Sequence, residues 1–532
     1  MKSTSIPNTA QAFASNKDTN NLRQRLISEH NTTEKISNTV ALPQTADAIF
    51  IELLKGVEKI DFETLAFNGT FSNNTNVSKK SVKSVKSEMD TLQKSLSGFN
   101  LTKNHYVIIC VEEIINLAIS NNWGLCKKGG NVYLYNGAYW TEIERERFQF
   151  FLGEVALKMG VEKFKGKIHT FKSDLYKQFM SDAFMATSPS GKDEVLINLI
   201  NGTFEINPTS RVLRYFDQKD FLTHQLPFEY DISSKAPQFQ KYLDEVLPDK
   251  DKQKVLAEYM GYIFIKPSLL KLEKVLLLYG TGANGKSVFF EIINALLGSE
   301  NVSNFSLQSL TDEKGYNRAK LRGKLLNYVS ELNANFETSV FKQLASGEPI
   351  EARSPYKEPF TLTDYAKLMF NCNELPKEAE LTNAFFRRFL IIDFDVTIPE
   401  CDQDKQLSNK IIASELSGVF NWILEGLDRL LLQKNFSKCA AIDNARSAYE
   451  KQSDSVHLFI AENGFEASAT EHILISELYP MYIYFCKEEG FKLLGKSKFI
   501  ARLNHLKLFV TRKNKGNVVY LSGEVKYFND II

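Results

Sequence analysis

The sequence predicts a multidomain α/β protein organised around a nucleotide-binding domain on a largely parallel sheet. Three observations carry that expectation. From residue 274 the chain alternates short apolar, strand-like runs with helical segments, the pattern of helices covering a parallel sheet. One of those runs leads straight into a glycine-rich loop and then an amphipathic helix. The chain also has 532 residues, which at ~150 per domain implies roughly three domains and a substantial core.

Composition narrows the function classes. At 43% hydrophobic and 24% charged, this is an ordinary globular composition. The balance of 65 Lys+Arg against 64 Asp+Glu excludes a polycation that binds by bulk charge, so nucleic-acid binding must come from local patches. Six cysteines (Cys110, Cys126, Cys372, Cys401, Cys439 and Cys486) form no C-x-x-C pair, which argues against a zinc ribbon or a disulfide scaffold. No run reaches the ~18 apolar residues that span a bilayer, and the N-terminus has no apolar signal core. The expected location is the cytoplasm, with no membrane partner.

The glycine-rich loop reads Gly280, Thr281, Gly282, Ala283, Asn284, Gly285, Lys286, Ser287, then Val288 in the following helix. That is G-x-x-x-x-G-K-S after a strand at Val275–Tyr279, the context a phosphate-binding loop requires. Glycines let successive N–H groups converge, and the helix N-terminus adds positive potential. Lys286 is expected to neutralise the β- and γ-phosphates of ATP and Ser287 to ligate Mg²⁺.

Further along, a strand at Leu325–Val329 leads to Glu331, 45 residues after Lys286. Glu331 is the candidate for holding Mg²⁺ through water and orienting the attacking water. A third strand ends at Asn371 and Asn373, where an amide can hold that water or the γ-phosphate, or simply make the turn before Pro376. Arg387 and Arg388 follow, and either can reach a neighbour's γ-phosphate; Arg388 is preferred.

GTGANGKS, SELN, LASGEPIEARSPYKEPFTLTDYAKLMFNCNELP and FFRRFLIIDF together resemble superfamily 3 helicases, in particular the phage and plasmid P4/D5 primase–helicase family. Upstream, NVYLYNGAYW, INLINGTFEINP and THQLPFEYD are similar to the D5 N-terminal region, so the resemblance covers roughly residues 103–525. Two departures stand out. Gly347-Glu348 replaces the family's Gly-Asp, and Ser330 stands where many relatives carry a second acid, leaving Glu331 to serve metal and water or Ser330 to take the metal side.

The resemblance implies an AAA+-like α/β motor, assembled as a hexameric ring with ATP between subunits. It also implies single-stranded DNA in the pore, movement 3′→5′ and work at origins or forks. A hairpin between the acidic and sensor strands is then expected to touch DNA through Arg353, Tyr356 and Lys357.

Residues 490–532 carry nine basic against two acidic residues. The order of a helix KSKFIARLNHL, a strand, an Asn-Lys-Gly turn and a strand is that of a winged helix. Lys498 and Arg502 sit on its recognition helix, and Arg512, Lys513 and Lys515 lie in its wing. The other reading is a basic protein-docking module. LIIDFDV, with Asp393 and Asp395, mimics a primase metal motif but lies on the strand after the arginines, with no further acid-and-His constellation of a polymerase module around it. Histidines such as His224 and His472 are scattered and expected to be structural or on the surface.

The expected organisation is a polar N-terminal arm at 1–102, with a Lys/Ser-rich linker at 68–87 and a helical patch at 46–67. A D5-like α+β collar follows at 103–245, the ATPase at 246–400, a helical lid at 401–454 and a winged-helix-like domain at 455–532. The leading function is an ATP-dependent replicative DNA helicase acting on single-stranded and forked DNA, with a primase, polymerase or loader bound through the arm. The alternative is an ATP-dependent origin-binding initiator without processive unwinding. A primase–helicase rests only on Asp393 and Asp395.

Overall fold

Apolar spacing builds the first body from helices. The computed structural model describes residues 45–71, 100–183, 194–332, 336–355, 357–373, 375 and 383–523. Helix Ala46–Gly56 is capped by Thr45, whose hydroxyl accepts from the Ala48 N–H, and it buries Ile49, Phe50 and Leu53. These side chains, with Val57, Phe62 and Ala66, share one core with helices Lys103–Ser120, Arg145–Met159 and His169–Asp182. The Phe50 ring stacks on Phe151 at 4.2 Å. The patch at 46–67 therefore belongs to the body that continues through residue 183 rather than to a polar arm. So large an apolar stripe is too costly to leave in water. The linker at 68–87 lies almost wholly outside the described residues.

Two three-stranded antiparallel sheets follow. Strands Gly124–Lys128, Asn131–Tyr135 and Trp140–Ile143 form the first. In the second, Val195–Leu199 pairs with Gly202–Ile206 and that strand with Arg211–Arg214. Its tight turn is Ile200-Asn201: Gly202 opens the second strand at φ +148°, where a Cβ would meet the Arg214 carbonyl oxygen at 2.5 Å.

This second sheet packs with the following domain. Leu199, Phe204, Tyr242, Tyr259 and Phe420 share a core with Leu276, Leu278 and Phe289. The expected boundary at 245 thus runs through a continuous core. Helix Lys250–Tyr262 lies so close to helix Leu416–Gln433 that a Cβ on Gly426 would sit 2.3 Å from the Ala257 carbonyl carbon.

The central sheet has five parallel strands: β1 (Val275–Tyr279), β2 (Val302–Ser303), β3 (Leu326–Val329), β4 (Lys367–Cys372) and β5 (Phe389–Asp393). Their order is β5-β1-β4-β3-β2. β1 is apolar on both faces because it is covered on both: Leu276 and Leu278 enter one core, Val275 and Leu277 another. Tyr279 lies opposite both Cys372 and Asp393, so the carboxyl ends of β1, β4 and β5 meet at one edge. The hairpin Ile350–Ala352 and Phe360–Leu362 precedes β4.

Helices Leu407–Ser414, Leu416–Gln433 and Ala440–Ser453 lead to a small domain with its own core of Val456, Phe459, Tyr482, Phe499 and Val519. It contains helices Ser455–Glu462, Ile475–Glu488 and Lys496–His505, and an antiparallel sheet of Ile473–Leu474, Gly516–Val519 and Val510–Lys513.

Candidate functional site

The loop Gly280–Ser287 leaves the carboxyl end of β1, the place where open α/β sheets bind ligands. Gly280 takes φ +152°, and a Cβ there would strike the Phe394 carbonyl oxygen at 2.6 Å. Gly285 takes φ +85° and caps helix Lys286–Leu297. Tyr242, from helix Pro237–Val246, donates its hydroxyl to the Gly285 carbonyl at 2.7 Å. Asn284 is buried and donates to the carbonyls of Thr281 and Phe394, tying the loop to the chain just beyond β5.

Lys286 is buried inside this turn. Its ammonium donates to the Gly280 carbonyl at 2.6 Å, the Asn284 Oδ1 at 3.0 Å and the Thr281 carbonyl at 3.3 Å. Burial pushes its pKa below the ordinary lysine value, and among the described residues no carboxylate pairs with it. Nearby Cys372 is pushed up to about 12 by burial, so it stays a neutral thiol. Gly282 and Ser287 are exposed at the mouth of the loop, while Val288 is half-buried at its back.

Glu331 is exposed two residues beyond β3, beside the exposed Ser330. The hydroxyl of Ser287 and the carboxylate of Glu331 are hard oxygen donors of the kind Mg²⁺ accepts. Asn373 stands exposed one residue past β4. Asn371 is instead buried: its amide donates to the Tyr328 hydroxyl, its Oδ1 has no partner among the described residues, and the Tyr328 ring stacks on Phe290 of the loop helix.

The two arginines part company. Arg388 is buried, with Nη2 3.0 Å from the Ser346 hydroxyl and 3.5 Å from Glu273, and it also donates to the Ala384 carbonyl. Arg387 projects outward, its guanidinium 59% exposed and 3.2 Å from Glu273. The hydrogen bonds of Arg388 hold it within its own chain, whereas Arg387 is the more exposed of the pair.

Of the hairpin residues, Arg353 donates from Nε to the Lys357 carbonyl at 3.2 Å and closes the turn. Lys357 is exposed, and Tyr356 lies outside the described residues. In the C-terminal domain Lys498, Arg512, Lys513 and Lys515 are exposed. Arg502 is not. Its Nε and Nη2 each lie 2.8 Å from the buried Asp454 carboxylate, whose other oxygen caps helix Ser455–Glu462, so its guanidinium is engaged in an ion pair within the domain.

Asp393 and Asp395 flank the buried ammonium of Lys252, at 2.8 and 3.3 Å. A cation of the chain itself fills the space between them. Lys252, Tyr242 and Tyr328 carry no signal in the sequence, since their partners lie tens of residues away or more.

Residues 112–248 match the family "D5 N terminal like", residues 278–388 a family of unknown function, DUF5906, and residues 451–531 the family "Poxvirus D5 protein-like". Two viral proteins described as "Putative helicase" are similar. L207/L206 of Acanthamoeba polyphaga mimivirus is 26% identical over 245 residues, which is 42% of this chain and 24% of that protein. 121R of Invertebrate iridescent virus 3 is 21% identical over 332 residues, 55% and 35% of the two chains. The chain thus spans about a quarter to a third of the length of these curated relatives.

Two apo structures of the NrS-1 C-terminal region align over 77% of this chain and 98% of theirs. Their TM-scores are 0.43 and 0.41, and they are 11% and 10% identical in sequence. Fold and site define a mixed α/β protein with a glycine-rich loop at the carboxyl edge of a parallel sheet. The two D5 matches and the viral relatives make the chain similar to D5-type superfamily 3 helicases.

Proposed function

We propose that this chain is an ATP-driven replicative DNA helicase that moves on single-stranded DNA as a ring. The observation that carries the reading is Lys286: a buried ammonium held only by carbonyl oxygens, beside an exposed Ser287 and a helix N-terminus. A buried cation without an acidic partner is costly unless an anion comes to it. A triphosphate supplies one.

In this reading the loop amides and Lys286 bind the β- and γ-phosphates of the substrate ATP, and Tyr242 and Asn284 keep the loop in shape. Ser287 and Glu331 hold Mg²⁺, which supplies charge neutralisation on the phosphates when bound. Glu331 also orients the attacking water, and Asn373 holds that water or the γ-phosphate. Arg387 extends toward the site of the next subunit, where an arginine in trans stabilises transition-state charge by ~10³–10⁵ in rate. Head-to-tail contacts that close into a ring bring it there.

Lys357 at the hairpin tip contacts single-stranded DNA, with Arg353 bracing the turn. The C-terminal domain has the element order of a winged helix, and Lys498, Arg512, Lys513 and Lys515 grip duplex phosphates. ATP hydrolysis stimulated several-fold by single strands tests the reading. Stimulation by duplex origin DNA alone favours the initiator reading, which the exposed cations of the C-terminal hairpin also suit.

A further inference from the structure

A cleft of about 1250 Å³ opens between the N-terminal body and the central domain, and its lining is strongly biased. Arg145, Lys177, Lys320, Arg322, Lys324 and Lys357 line it against only Glu142 and Glu358, in a chain whose net charge is +1. Among the described residues none of these six cations makes an ion pair with a carboxylate. Uncompensated like charge gathered around one cleft costs stability and raises the local potential for an anion.

The cations alternate with rings. The Arg145 guanidinium lies 5.1 Å from the Tyr176 ring centre, the Lys320 ammonium 5.5 Å from Phe305, and the Arg322 guanidinium 4.1 Å from Phe360. All three rings face the cleft. Phe360 belongs to the hairpin that carries Lys357, while Tyr176 lies on helix His169–Asp182 of the N-terminal body. At the rim, Gly129 and Gly130 present bare backbone at which a Cβ would meet nothing. A mononucleotide asks for one focused cluster of cations. Here six cations and three rings line one cleft, as suits a polymer of phosphates and bases.

We propose that this cleft seats a single-stranded polynucleotide, its phosphates on the cations and its bases against Tyr176, Phe305 and Phe360. The inference rests on the reading that the chain works on single-stranded DNA, and extends the path of the strand from the Lys357 hairpin to the N-terminal body. Backbone-tracking charge with sequence-tolerant stacking is the chemistry of non-specific single-strand binding.

The test measures binding of a fluorescent oligothymidylate to the full chain across a salt series, with the double variant Lys177→Glu/Lys320→Glu. Both side chains are exposed. The matched control is Lys438→Glu/Lys451→Glu, at exposed lysines outside the cleft. The cleft variant is expected to bind at least about tenfold more weakly. Its slope of log affinity against log salt should be shallower by about 1.4, from two phosphate contacts at ~0.7 each. The control should bind as wild type.

Photocrosslinking of a bromodeoxyuridine oligonucleotide to the wild type, followed by peptide mapping, needs no variant; adducts at Tyr176, Phe305 or Phe360 are expected. Wild-type binding in the cleft variant, or adducts confined to residues 490–523, overturns the cleft and leaves the helicase reading standing. A wild type that hydrolyses ATP yet binds no single strand overturns both.

Discussion

The Lys286 ammonium donates to the Gly280 carbonyl at 2.6 Å, across the turn that both residues bound. The loop thus holds its own lysine on backbone oxygen, and a triphosphate must draw it away. Lys286→Ala is expected to reduce ATP hydrolysis by about 100-fold or more. Its melting midpoint should stay at or above that of wild type, because a buried cation with no acidic partner is removed. Calorimetry alongside a phosphate-release assay checks both.

Arg387 and Arg388 are adjacent in sequence and opposite in exposure. Arg387→Ala should leave the melting midpoint unchanged and abolish hydrolysis, and mixing it with Lys286→Ala subunits should restore part of the activity. Each mixed interface can then pair an intact loop with an intact arginine. Arg388→Ala should instead lower stability by about 2 kcal/mol, since it removes the buried hydrogen bonds to Ser346 and the Ala384 carbonyl, and mixing should not rescue it.

His224 is half-buried, and its Nε2, shielded from solvent, has no hydrogen-bond partner among the described residues. Burial and the charge of Lys266 depress its pKa from 6.5 to about 4. The folded value lies below the unfolded one, so the unfolded chain binds more protons between them, and stability falls as pH drops from 6.5 through 4. The fully developed loss is ~3 kcal/mol. Urea midpoints against pH should show an acid-side decline that His224→Gln flattens.

Where helices Lys250–Tyr262 and Leu416–Gln433 cross, Gly426 has no room for a methyl group. Gly426→Ala should cost about 2 kcal/mol or more by urea denaturation. Arg502→Ala should cost about 3 kcal/mol in the C-terminal domain by leaving the Asp454 carboxylate buried and unpaired, whereas Lys513→Ala and Lys515→Ala should keep stability and weaken duplex binding.

The strand, glycine-rich loop and helix were legible because they are contiguous from Val275 to Leu297. The helix at 46–56 was legible from the spacing of Ile49 and Leu53. Its membership of the 103–183 core was not, since periodicity states that a face is apolar without saying what covers it. The same limit hid the packing of strand Val195–Leu199 onto the central domain. Arg387 and Arg388 read alike in sequence; the buried hydrogen bonds of Arg388 to Ser346 and the Ala384 carbonyl separate them. Lys252 fills the space between Asp393 and Asp395 from more than a hundred residues away, beyond any local pattern.

The most direct test of the central claim is ATP-dependent strand displacement on a fork with a 3′ single-stranded tail, comparing wild type with Lys286→Ala. Displacement by the wild type alone is the predicted result. A wild-type ring that hydrolyses ATP and binds the fork yet never separates its strands would contradict it.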